Sequence, residues 1–97
     1  MATYIILANW TEQGIRNVKD SPRRLDAAKE LHRKHGAEMK AFYLTMGGHD
    51  MVVISEAPSD EAIAKIALTI GAGGNVRTTT LKAFTEAECR EIIQSLD

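Results

Sequence analysis

Residues 3–9 carry a nearly unbroken apolar run, Tyr-Ile-Ile-Leu-Ala at its centre, without glycine or proline. Weak alternation over so short a run predicts a strand buried on both faces. Beyond it the apolar period lengthens. Thr11 is placed to cap a short helical turn carrying Ile15 and Val18, and Asp20-Ser21-Pro22 marks a restart. Ser21 is the expected N-cap and Pro22 the first helical residue, where a missing N–H costs nothing. Leu25, Ala28 and Leu31 then recur at helical spacing, with Arg23, Lys29, Arg33 and Lys34 mainly off their stripe, predicting an amphipathic helix over residues 22–35. Gly36 is its expected stop.

Residues 37–46 and 51–57 read as two strands joined through Gly47-Gly48, where the absence of Cβ permits the positive φ angles of a tight hairpin. They are expected to pair antiparallel. Pro58-Ser59-Asp60 offers a helix cap, and Ile63, Ile66, Ala67 and Ile70 form the apolar face of a helix that stops in Gly71-Ala72-Gly73-Gly74. Residues 75–84, dense in β-branched side chains, predict the fourth strand. Thr85 and Glu88 match a capping box that opens a last helix striped by Cys89, Ile92, Ile93 and Leu96.

This order, βαββαβ plus a C-terminal helix, fits one α+β domain spanning residues 1–97. Two right-handed βαβ units interleave as a ferredoxin-like antiparallel sheet of order 4-1-3-2 with helices on one face. Tyr4, Ile6, Phe42, Leu44, Val52, Ile54, Leu81 and Phe84 are too many apolar strand residues for one face. A second copy covering the other face, a homodimer of the αβ-barrel type, is the expected solution. The same topology gathers Asn9, Trp10, His49, Asp50, Asn75 and Arg77 on one edge of the sheet. An aromatic wall, a cation, an imidazole, a carboxylate and amides make that edge the candidate ligand cleft.

Composition narrows the classes further. At 97 residues a monomer buries a limited fraction of its surface, and a dimer would help. The formal charge is −1, with bases interspersed among acids, so strong nucleic-acid binding is not indicated. A single cysteine, Cys89, excludes an intramolecular disulfide framework and is compatible with a reducing compartment, the cytoplasm by default. The opening residues lack a basic leader and reach polar Asn9 too soon for a membrane span.

Several residues invite sharper chemistry. His49 could act as a general base, oriented by Asp50 or another carboxylate, although neighbours in a strand point to opposite faces. The plainer expectation is a solvent-facing turn in which Asp50 bonds local backbone. Arg77 could clamp a carboxylate or phenolate, or else make a cross-strand or intersubunit ion pair. His32 and His35, three apart, could share a metal with Glu30 or Glu38, but solvated helix-end histidines are expected and no metal is assigned. The glycines at 71–74 follow a helix rather than precede one, so they face its negative end and are no phosphate cradle. No motif calls for a cofactor. Cys89 is expected as a small core or interface residue, having no base near it.

Over essentially its whole length the chain resembles the GYD-domain family of small dimeric αβ-barrel proteins. The matching segments are Tyr4-Ile5-Ile6-Leu7 with Asn9-Trp10-Thr11, Gly14-Ile15-Arg16, Lys19-Asp20-Ser21-Pro22-Arg23-Arg24, Ala41-Phe42-Tyr43-Leu44-Thr45-Met46-Gly47 and Gly74-Asn75-Val76-Arg77-Thr78-Thr79-Thr80. The naming triplet, Gly-Tyr-Asp, departs here: Gly47-Gly48-His49-Asp50 has histidine in the tyrosine position. The resemblance implies a ferredoxin-like barrel dimer but no general reaction, since the wider structural class holds monooxygenases, isomerases, haem-degrading enzymes and ligand sensors. Asn9 and Trp10 are similar to residues with which some barrel monooxygenases hold an aromatic substrate or haem, but here they are sequential. The expectation is a homodimer binding a small aromatic or anionic molecule at the edge, with Trp10 as wall and Arg77 as charge partner. The alternatives are a cofactor-independent monooxygenase or isomerase using His49, and a non-catalytic assembly or regulatory subunit.

Overall fold

In the computed structural model, which describes residues 1–97, the elements follow in the order β1 (Ala2–Trp10), α1 (Glu12–Arg16), a 3-10 turn (Val18–Asp20), α2 (Ser21–Lys34), β2 (Glu38–Leu44), β3 (Met51–Ala57), α3 (Asp60–Ala72), β4 (Val76–Ala83) and α4 (Glu86–Gln94). The four strands form one antiparallel sheet of order β2-β3-β1-β4, the predicted arrangement read from its other edge.

Local chemistry accounts for most boundaries. Thr11 caps α1 through the Gly14 N–H, and Ser59 caps α3 through the Ala62 N–H. The capping box of α4 is complete, with Thr85 N–H donating to Glu88 at 2.8 Å and Glu88 N–H to the Thr85 hydroxyl at 3.2 Å. At the end of α2, Gly36 takes φ +73°, and the N–H groups of Gly36 and Ala37 reach back to the carbonyls of Arg33 and His32. That pairing satisfies the helix's last acceptors. Ser21 is not the N-cap. The 3-10 turn winds directly into α2 and supplies the Val18 carbonyl to the Ser21 N–H, so Ser21 is already helical and its hydroxyl accepts from Arg24 instead.

The sheet has two unequal faces. Tyr4, Ile6 and Ala8 of β1 and Met51, Val53, Ser55 and Ala57 of β3 turn inward against α2 and α3, where Ile63 and Ile66 complete the core. On the opposite face Ile5 is paired with Ile54 and Leu81, and Leu7 with Val52 and Thr79. This face is uncovered in the single chain, so β1 is buried on one side only. The sequence expected both sides closed, and the single chain closes one.

The uncovered apolar surface shows in the dimensions. The accessible area is 6587 Å², against about 5,500 Å² for a folded monomer of this mass. The radius of gyration is 14.6 Å, against about 12.5 Å for a chain of this length. Helix α4 contributes to both excesses: none of its residues is buried, Ile93 is 60% exposed, and Leu96 just beyond the helix is 69% exposed. Cys89 is accordingly exposed and lies outside the core. No helix is long and apolar enough to cross a membrane.

A polar clasp ties the first strand to α3 and β4. The buried Tyr4 hydroxyl donates to the carboxylate of Asp60 at the start of α3, and Lys82 of β4 lies 3.2 Å from the same carboxylate. The phenol is pushed up to about 12, chiefly by that hydrogen bond and then by burial, while Asp60 is held below the usual carboxylate range by the Tyr4 hydroxyl first and Lys82 second. Asp60 therefore stabilises the fold above the unfolded carboxylate range, and this contribution is lost as pH falls through its depressed value. Tyr4 contributes fully below its ordinary value of 10.0 and loses its contribution as pH rises toward about 12. The stability gap between the parent and Tyr4→Phe is expected to be widest near pH 7 and to narrow at pH 3 and pH 11 in urea titrations. A gap that is constant across that range would remove the clasp from the stability of the fold.

Candidate functional site

The predicted edge exists, but its residues divide between three environments. Asn9 pairs with Arg77 and Trp10 with Val76 across β1 and β4, which brings the exit of β1 beside the entry of β4. The hairpin between β2 and β3 approaches the same end. There Asn9 Oδ1 accepts from the Asp50 N–H at 2.8 Å and Asp50 Oδ2 accepts from the Trp10 N–H at 3.0 Å. This reciprocal exchange continues the β1·β3 ladder one step past its last backbone pair, Ala8 with Met51. Thr45 closes the loop from the other side, its N–H donating to the Asp50 carbonyl and its hydroxyl to that of His49. Asp50 is thus occupied with backbone, but with that of Trp10 at the end of β1 rather than the local backbone that the plainer reading of the turn expected.

His49 sits at the exposed tip of that clamp. Its Nδ1 lies 3.5 Å from Asn9 Nδ2, and no carboxylate contacts the ring. Arg77 is also exposed, on the open face of the sheet beside Asn9, and takes part in none of the ion pairs of the single chain. Asn75 serves the backbone: its carbonyl accepts from the Thr11 N–H at 3.0 Å, while its side-chain oxygen accepts from Gln13 Nε2 at 3.1 Å. The neighbouring Gly74 carbonyl takes the Thr11 hydroxyl at 2.6 Å.

Trp10 and Asn75 face the other way, into a cavity of about 690 Å³ between the sheet and the helices. Its walls are apolar, from Ile6 and Val53 on the sheet to Leu25 and Leu31 on α2. The volume falls within the range of sites for drug-sized molecules. Asn9, His49, Asp50 and Arg77 do not line it. The sheet itself separates the two groups, because successive strand residues point to opposite faces.

The cavity is also where the sequence expectation for His32 fails. Rather than a solvated helix-end side chain, His32 is 1% exposed, with Nδ1 2.7 Å from the Ala28 carbonyl and Nε2 2.8 Å from the Ser55 hydroxyl. A carbonyl only accepts, so Nδ1 carries a proton; in the neutral ring Nε2 then accepts from Ser55. The signal was present in the spacing: His32 follows Leu25 by seven and Ala28 by four, which places it on the apolar stripe of α2. His35, three residues on, is half-buried at the helix end.

A four-stranded antiparallel sheet with helices packed on one face defines the ferredoxin-like α+β class. The chain belongs to the GYD domain family, which matches residues 4–93. It is 32% identical over 89 residues to the glutamine synthetase and cystathionine beta-lyase binding protein of Thermus thermophilus, covering 91% of this chain and 94% of that one. Among solved structures it is similar to MtbAldR, with TM-score 0.68 and 13% identity, covering 88% of this chain and 52% of that one. It is also similar to TTHA0845, likewise from Thermus thermophilus, with TM-score 0.55 and 21% identity, covering 88% and 95%. The chain spans about half the length of MtbAldR, and at these identities both likenesses speak to the fold alone.

Proposed function

We propose that the chain is a non-catalytic binding protein that self-associates through the open face of its sheet and docks, as a dimer, on a metabolic enzyme. The observation that carries this reading is the uncovered apolar face of β1, β3 and β4. The accessible area exceeds that expected of a folded monomer by roughly 1,000 Å², an excess to which this face and the exposed α4 both contribute. Face-to-face packing of two such sheets buries Ile5, Leu7, Val52 and Ile54 on both copies at once. The exposed stripe of α4 is then free to lie along the partner copy. The enzyme-binding part rests on the relative whose name specifies glutamine synthetase and cystathionine beta-lyase. The open, carboxylate-free setting of His49 favours binding over acid–base chemistry.

Ile54→Asp places a charge in the centre of that face and is expected to weaken self-association more than 30-fold while leaving the helix face untouched. Light scattering across a dilution series, with circular dichroism as the check on folding, measures this. A parent that stays monomeric at millimolar concentration would sink the proposal. Immobilised glutamine synthetase and cystathionine beta-lyase from the same organism should each be tried against the dimer.

A second reading is favoured by the 690 Å³ cavity: the protein also binds a small organic molecule. Of the six edge residues, Trp10 and Asn75 are the two placed to touch it. Asn9, Asp50, Arg77 and His49 stand outside it.

A further inference from the structure

We infer that the cavity between α2 and the sheet takes an amphipathic carboxylate, a single anionic head on an extended apolar body, with Arg24 as the head-group partner. This rests on the small-molecule reading above and names its ligand class. The lining contains no aspartate, glutamate or lysine, and apart from the hydrogen-bonded His32, Arg24 is its only titratable side chain. An unbalanced cation on an otherwise apolar wall favours an anion, because a ligand of opposite charge supplies the guanidinium with a charge-assisted hydrogen-bond partner.

The partners of Arg24 leave it capacity for that role. Nη2 alone makes its three contacts, to the carbonyls of Gly14 and Asn17 at 3.4 and 3.2 Å and to the Ser21 hydroxyl at 3.2 Å. These fix the plane of the guanidinium against the loop after α1, and none carries a full negative charge. The hydrogens on Nε and Nη1 remain for a ligand. The residue is half-buried and belongs to the lining of the cavity. The deeper polar pair, His32 with Ser55, already satisfies itself, and the space beyond Arg24 is bounded by Leu25, Leu31, Phe42 and Ile70. Head at Arg24 and apolar body along the sheet is the orientation that leaves no polar group of the ligand buried without a partner.

Trp10 is the only tryptophan of the chain and lines this cavity, so its fluorescence reports occupancy directly. Decanoate, decanol and decylamine, each below its micelle-forming concentration, are the probes. Decanoate is expected to shift the Trp10 emission saturably and to bind at least tenfold more tightly than the other two. Arg24→Met should weaken decanoate at least tenfold and leave decanol unchanged, while Arg24→Lys should retain part of the anion preference. Ala28→Phe, which fills the cavity, should abolish the response to decanoate in a protein whose circular dichroism is that of the parent. Should Ala28→Phe fail to fold, the two Arg24 variants still decide the matter.

Equal affinity for decanoate and decanol would overturn the anion assignment while the small-molecule reading stands. Tighter binding of decylamine would do the same. No saturable response to any of the three would remove both. A decanoate response that survives unchanged in Arg24→Met would place the head group elsewhere and overturn the role of Arg24.

Discussion

Gly14→Ala is expected to destabilise the fold by about 3 kcal/mol, the upper end of the usual cost of overpacking, and to lower the melting temperature by roughly 12–24 °C in a domain of this size. A Cβ built at Gly14 stands 1.9 Å from the Asn75 carbonyl oxygen and 2.8 Å from its carbon. Both are backbone atoms and cannot swing aside. The conformation of Gly14 is not the issue, since its φ is not positive; what the position requires is proximity. Relief of the clash requires α1 to lift from the entry of β4, which breaks the Thr11–Asn75 and Thr11–Gly74 hydrogen bonds together. Gly71→Ala is the control, lying in α3 with nothing within 4 Å of the added methyl, and is expected to be neutral or stabilising by about 0.5–1 kcal/mol. Equal melting temperatures for the two variants would show that the α1 contact yields at little cost.

His32→Ala is expected to cost a similar amount, about 3 kcal/mol, from two sources. Removal of the ring leaves a void beside the cavity, and it strands the fully buried Ser55 hydroxyl without its partner. The sources separate in a double-mutant cycle. Ser55→Ala alone leaves Nε2 of His32 unpaired and is expected to cost about 1–3 kcal/mol, whereas Ser55→Ala made in the His32→Leu background should cost far less than the same change made in the parent. Additive losses in urea unfolding would mean that the pair is not coupled. The apolar double variant should also retain the cavity, so any ligand that survives in it does not rely on the imidazole.

His32 marks where the sequence was hardest to read. The stripe of α2 was recognised from Leu25, Ala28 and Leu31, and the same period runs on to His32, yet a polar side chain near a helix end is ordinarily placed in water. Its burial depends on a small serine arriving from β3, far along the chain, and nothing local in α2 announces that partner. The order of elements, the sheet order and the hairpin were legible because apolar period, glycine position and caps all agree on them. The six edge residues did converge on one end of the sheet. Their division by the sheet into cavity and open face was implicit in strand alternation, but it needed the register, in which Asn9 meets Arg77 and Trp10 meets Val76. Gly14 was legible only as part of the family pattern, because what it touches, the Asn75 backbone, is brought close only by the finished fold.

The pairing of β1 with β4 has a consequence for how the chain comes into being. Of the four strands of the sheet, the first made is an inner one, and one of its two hydrogen-bonding partners, residues 76–83, is the last of the four. During synthesis Tyr4-Ile5-Ile6-Leu7 must wait with one edge unpaired after β3 has arrived on the other, and closing a loop of this length is the slow step that long-range pairing imposes. The nascent chain therefore passes through a window in which an apolar strand is exposed, and its vulnerability to aggregation ends only when the last strand emerges.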